Sequence, residues 1–320
     1  MKIWTLMENT VCREDLAFEH GLSLYIETAK HKILFDAGQS GAFADNAEKM
    51  GIDLSEVDIA VLSHGHYDHG GGLSRFLEIN KTASVYMNEH AFEGHYHGEE
   101  RYIGIDLALK AHLQSDGGNK TDSQNIKSQG RIILVPDKFV IDDELTLYSC
   151  NDRELVCPID SSGLTVVQNP ENTEATETPG TSALQDASEK AQGLRVIPED
   201  FRHEQYLMIT ESLESNAQSQ SDITSKTVGR VLISGCSHKG ILNIANWFAP
   251  DVLVGGFHFM NLDPENESDR ARLNQAAKTL SSYDTKYLTC HCTGLSQYAY
   301  LKEIMGEKLA YISGGQYVEL

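Results

Sequence analysis

The run Ser63-His64-Gly65-His66-Tyr67-Asp68-His69 places three imidazoles and a carboxylate within six positions. Imidazole nitrogen and carboxylate oxygen suit zinc, iron or manganese, which gather about four to six donors at roughly 2.0 to 2.2 Å. In an extended segment side chains alternate, so His64, His66 and Asp68 project together while His69 points elsewhere. A tight turn then lets the two sets serve two neighbouring ions. A polar loop whose histidines only cap and hydrogen-bond is the competing reading. Four donors packed this closely favour the metal.

The flanking residues place the cluster. Residues 57–62 (VDIAVL) form a short apolar run typical of a buried strand, and Gly70-Gly71-Gly72 followed by Leu73, Phe76, Leu77 and Ile79 reads as a helix start. The donors therefore sit at a strand-to-helix junction. Upstream, residues 22–28 alternate polar and apolar, and 32–36 follow a short turn, which predicts a hairpin preceded by a first strand near the start of the chain. Further helices are expected at 42–50, 73–79, 241–248 and 269–280. Strands are expected at 84–87, 131–134, 145–148, 206–210, 228–234 and 251–255. Strands interleaved with helices imply two mixed sheets with helices outside.

The box after a strand, with Ile33-Leu34-Phe35-Asp36-Ala37-Gly38 upstream, resembles the metallo-β-lactamase superfamily. Gly235-Cys236-Ser237-His238-Lys239-Gly240-Ile241, Gly255-Gly256-Phe257-His258 and His291-Cys292-Thr293-Gly294 are similar to one subgroup of it. That subgroup comprises metal-dependent hydrolases and includes the archaeal dihydropterin-ribofuranosylaminobenzene-phosphate synthase. The resemblance implies one α/β domain over residues 1–320, an αββα four-layer sandwich. It also implies that a third histidine opens a hairpin whose second strand ends in an acidic or cysteine ligand. His203 and Cys236 match those positions, which puts His203 with His64 and His66 at a first ion. Cys236 stands where many members carry a bridging aspartate, and the resemblance gives Asp36 the role of accepting the N–H of a ligating imidazole.

Other donors follow strand ends. His291, on an expected strand 286–292, faces opposite to Cys290 and Cys292, so the imidazole meets the ions and the cysteines pack away. A separate Cys-His-Cys zinc knuckle lacks a partner pair. The expected ligands are therefore His64, His66, Asp68, His69, His203, Cys236 and His291. They would hold one or two divalent ions per chain, and a thiolate donor favours zinc. His238 lies near a helix start, where with Lys239 it could bind a substrate anion. His258 is positioned as a proton donor to a leaving group, and Asp68 would orient the nucleophile. His90, His95 and His97 read as loop residues near the substrate entrance.

Composition narrows the setting. A formal charge of -21 argues against sequence-independent nucleic-acid binding and against anionic membranes. No apolar run is long enough to span a bilayer, and acidic Glu14 and Asp15 follow the start too closely for a secretory signal, so a cytoplasmic protein is expected. Six scattered cysteines form no disulfide framework. Segments 114–129, 161–192 and 214–226 are too polar to bury and read as surface insertions. The expected activity is hydrolysis of a small-molecule ester, amide or phosphoester by a metal-activated water. The alternatives are a synthase coupling a pterin diphosphate to a ribofuranosylaminobenzene phosphate, and a non-catalytic ligand sensor.

Overall fold

The computed structural model describes residues 1–113, 130–168, 195–212 and 228–320. Insertions 114–129 and 214–226 lie outside these residues, as does 169–192. Two seven-stranded sheets dominate. The first runs in the order Tyr317–Glu319, Lys2–Met7, Ser23–Glu27, Lys32–Phe35, Ile59–Val61, Ser84–Asn88, Ile132–Val135. It is antiparallel up to the expected hairpin and parallel from Lys32–Phe35 onward. The second runs Leu309–Tyr311, Lys286–Thr289, Val252–Val254, Val228–Ile233, Tyr206–Ser212, Leu145–Tyr148, Lys138–Val140. Its first four strands are parallel, and the remainder antiparallel.

Period-two alternation sorts the side chains into layers. Ile33 and Phe35 of the first sheet meet Leu207, Ile209, Val231 and Ile233 of the second in the central core. Leu34 and Ala60 face the other way, onto Phe43, Phe76 and Leu77 of helices Ala42–Lys49 and Leu73–Ile79. Tyr206, Met208 and Tyr287 face the opposite outer layer, made by Ile241–Phe248, Glu267–Ser281 and Leu295–Met305. The four layers are helix, sheet, sheet, helix. Burying one large apolar side chain contributes roughly 1.5 to 3 kcal/mol, so this alternation commits each strand to its register.

A small third sheet was not foreseen. Arg195–Pro198, Leu164–Gln168, Gly94–His97 and Arg101–Tyr102 pair antiparallel in that order. The insertion expected at 161–192 is therefore ordered at its start, where Leu164 and Val166 are buried. Two alternating apolar residues were enough to make a strand because Gly94–His97 offered an edge to pair with.

Candidate metal centre

Most candidate donors reach one rim of the sandwich from a strand end. Asp36 follows Lys32–Phe35, the box follows Ile59–Val61, Cys236 and His238 follow Val228–Ile233, His258 follows Val252–Val254, and His291 follows Lys286–Thr289. Asp36, His258 and His291 have φ of 59°, 56° and 51°, the left-handed region. Non-glycine residues held there cost of order 1 kcal/mol or more, and such strain persists only where the surroundings fix it. Here it turns the chain so that a side chain leaving a strand points along the rim.

Asp68, His69, Cys236 and His291 each offer a donor atom within 4.8 Å of the others, and all four are buried. Their tautomers follow from their partners. His69 Nδ1 lies 2.6 Å from the Asp36 carboxylate, which can only accept, so the neutral ring keeps its proton there and Nε2, 3.2 Å from Cys236 Sγ, is the nitrogen left for an ion once the second proton has gone. His291 Nδ1 lies 2.7 Å from Asn9 Oδ1, leaving Nε2 bare, 3.4 Å from Asp68 Oδ2 and without an aligned hydrogen bond. Glu8 fixes the turn that carries it, accepting the His291 amide at 2.6 Å. Anchoring one ring nitrogen so that the other faces an ion is how carboxylates and carbonyl oxygens orient metal-binding histidines. The set of two imidazoles, a carboxylate and a thiol suits a borderline divalent ion. Burial and the adjacent Cys292 push the Cys236 thiol well above its ordinary pKa in the ion-free protein. Ion binding would therefore release a proton.

His64 stands in two groups, one with His66 and Asp68, the other with Cys236 and His238. Its Nε2 is 3.2 Å from His238 Nε2. Glu204 holds the 236–239 turn by accepting the His238 and Lys239 amides at 2.6 and 3.0 Å, and Phe201 stacks on the His238 ring at 4.4 Å. Gly235 allows the turn to approach, since a Cβ there would lie 2.3 Å from Ser63 Oγ. Cys236 also groups with His258 and Cys292. His258 is half-buried, its ring 4.3 Å from that of His238.

His203 stands in another group, with His66, His95 and Glu199. His95 Nδ1 and His203 Nε2 lie 2.6 and 2.7 Å from Glu199 Oε1, although neither contact is aligned as a hydrogen bond. His66 Nε2 lies 3.3 Å from Glu199 Oε2. Burial would raise the Glu199 pKa, but the three imidazoles outweigh it and hold the carboxyl far below the ordinary range.

Three expectations need correction. Cys292 does not pack away from the site: the strand stops at Thr289, a 3-10 turn His291–Thr293 follows, and the rotation brings Cys292 Sγ 3.3 Å from the Cys236 carbonyl. Cys290 does pack into the central core. Lys239 is no anion partner, because its buried ammonium donates to Ser149 O at 2.6 Å and Asn151 Oδ1 at 2.7 Å. His95 is not at an entrance but fully buried in the site, carried there by the third sheet, whereas His90 pairs with Glu93 and His97 is exposed. Sequence reasoning missed Glu199, Asn9 and the exposed His20, whose Nε2 lies 3.3 Å from Asp68 Oδ2. Only Glu199 left a signal, lying four residues before His203 beside an apolar Val-Ile pair.

Residues 16–154, which include the box and Asp36, match the metallo-β-lactamase superfamily. A crystal structure of a metal-dependent hydrolase of the β-lactamase superfamily superposes with a TM-score of 0.67 at 23% identity, covering 100% of this chain and 99% of that one. The chain has the metallo-β-lactamase superfamily fold. Among curated relatives, an uncharacterized protein of Methanocaldococcus jannaschii is 25% identical over 304 residues, 93% of each chain. The 7,8-dihydropterin-6-methyl-4-(β-D-ribofuranosyl)-aminobenzene-5'-phosphate synthase of the same organism is 26% identical over 100% of this chain and 96% of its own. Within this metallo-β-lactamase fold, no helix of the described residues is long and apolar enough to cross a membrane.

Proposed function

We propose that the chain is a metal-dependent hydrolase of small-molecule esters, amides or phosphoesters, binding one or two divalent ions, zinc by preference. The observation that carries this is the convergence of Asp68, His69, Cys236 and His291 with each imidazole anchored through Nδ1 and its Nε2 facing inward. The other ion position, the first named above, would include His64 and His66. Bound divalent ions supply Lewis acidity and a nucleophilic hydroxide near neutral pH.

The chain's own groups provide the rest. Asp68 accepts from the nucleophile and orients it. His258, half-buried beside His238 with both ring nitrogens unpartnered among the described residues, is placed to give a proton to a leaving group. Half-exposed His20 beside Asp68 marks the side from which substrate enters. Six free cysteines fit a reducing compartment, which supports action in the cytoplasm.

The test is turnover on ester, lactone, amide and phosphodiester panels with zinc added and with chelator. Zinc-dependent turnover that disappears in Asp68→Ala is the expected result. Bound zinc without turnover on any panel would favour a ligand sensor. A second reading rests on the full-length similarity to the pterin-coupling synthase. It requires diphosphate release that depends on an aminobenzene acceptor, whereas a hydrolase releases product without one.

A further inference from the structure

We infer that the first ion would be held by His64, His66 and His238, and that His203 is not a ligand. This rests on the metal-dependent reading of the same site. In place of ligation, His203 joins His95 and Glu199 in a brace that holds the His66 ring.

The state of Nδ1 separates the two histidines: His238 Nδ1 has no hydrogen-bond partner among the described residues and can take up the ring proton when Nε2 meets an ion, whereas His203 Nδ1 is occupied. The Gly65 amide donates to His203 Nδ1 at 2.7 Å. An amide N–H can only donate, so the single proton of neutral His203 is on Nε2, facing Glu199 at 2.7 Å. Ligation through either nitrogen would require giving up the Gly65 bond or forming an imidazolate. His64 is arranged the other way. The Ser63 hydroxyl donates to Asp36 Oδ2 at 2.7 Å, so His64 Nδ1, 2.8 Å from that hydroxyl oxygen, must donate to it and Nε2 is bare. His66 gives its Nε2 proton towards Glu199, which leaves Nδ1 bare.

The spacing agrees. Two imidazole nitrogens each about 2.0 to 2.1 Å from a tetrahedral ion lie roughly 3.3 Å apart. His64 and His238 Nε2 are 3.2 Å apart, and a proton between them is what the ion replaces. The ring centroids of His64, His66 and His238 are separated by 4.6, 4.8 and 5.0 Å, a nearly equilateral set. Replacing His238 by His203 stretches one side to 5.8 Å. His238 is buried, and its turn is fastened by Glu204, so it is held in place before any ion arrives.

The experiment compares His238→Gln with His203→Gln in the full chain, loaded with zinc, desalted and measured for metal by mass spectrometry, with circular dichroism to confirm folding. A cobalt(II)-loaded set adds a second readout, because a cysteine thiolate on cobalt gives a charge-transfer band that imidazole and carboxylate donors do not. Expected is a drop from about two ions per chain to about one in His238→Gln, with the band retained by the Asp68 position, and about two ions in His203→Gln. Should His203→Gln misfold, His203→Asn takes its place. A folded His203 variant that falls to about one ion overturns the assignment, as does a His238→Gln protein that keeps both. Asp68→Ala with unchanged metal content would instead remove the metal-dependent reading at the neighbouring position.

Discussion

The Asp68 group and the Glu199 group are both buried, both rich in imidazole, and both centred on a carboxylate, yet they handle protons in opposite ways. Around Asp68, the histidines spend their Nδ1–H groups outward, on Asp36 and Asn9, and turn Nε2 inward as the nitrogen that an ion would take. Around Glu199, they turn towards the carboxylate, and the outward face of His203 accepts from a backbone amide. Crowded histidines are therefore not by themselves a metal site. What surrounds each ring decides whether it offers a lone pair or a proton.

The comparison breaks first at the donors themselves. Asp68→Ala is expected to lower zinc-dependent turnover by roughly 10³-fold, the scale of one lost charge-stabilising group. A steady-state assay with saturating zinc checks it, and retained activity would remove Asp68 from the chemistry. Next comes the outer ring of partners. Asp36→Asn frees His69 to adopt the wrong tautomer and should weaken zinc affinity about 10- to 100-fold by competition titration. Glu199→Gln should weaken it less, since it loosens His66 without changing the Asp68 donors. Equal losses in the two variants would mean that the two carboxylates do the same job.

The pH dependence sharpens the same contrast. Burial alone would lower the His69 pKa, but Asp36 and Asp68 outweigh it and push the imidazole up to about 9. A group raised on folding stabilises the ion-free protein fully below its unfolded value and loses that contribution as pH rises through about 9. An ion must displace the same proton, so zinc affinity should climb with pH towards about 9. Calorimetric titration in two buffers of different protonation enthalpy, repeated across this range, measures the released protons. A flat affinity profile would show that His69 binds its ion already neutral. The smallest effect is expected at Gly235→Ala, where the new Cβ would lie 2.3 Å from Ser63 Oγ and 3.2 Å from His64 Nδ1. A cost of about 1 to 3 kcal/mol and a Tm lower by a few degrees would follow, with the His64 position losing metal before the Asp68 position does.

Some of this was legible along the chain. The strand-to-turn junction at the box and the strand ends carrying Cys236 and His291 follow from local apolar periodicity, whereas the hairpin between His203 and Cys236 was implied by the family resemblance. The same periodicity places Asp36 at a strand end, and the resemblance gave it the contact with a ligating imidazole. His95 and Glu199 were not legible, because the third sheet that brings them inward is a pairing between segments far apart in sequence. The direction of Cys292 was misread for a local reason. A strand ending three residues early, at Thr289, ahead of a left-handed His291, breaks the alternation on which the expectation rested.

Residue type and spacing by themselves determined the cluster at the box, most of the donor residues and two mixed sheets with helices outside, because these depend on side-chain chemistry and on the period of a strand; the four-layer order came from the family resemblance. Only the tertiary structure decided which histidines present a bare nitrogen. That choice lies with Asp36, Ser63, Asn9, Gly65 and Glu199, groups brought beside the rings mostly from distant segments, each able to accept, donate or relay a proton at one position. An imidazole has two nitrogens and, when neutral, one proton, and the partner on one side fixes what the other side can do.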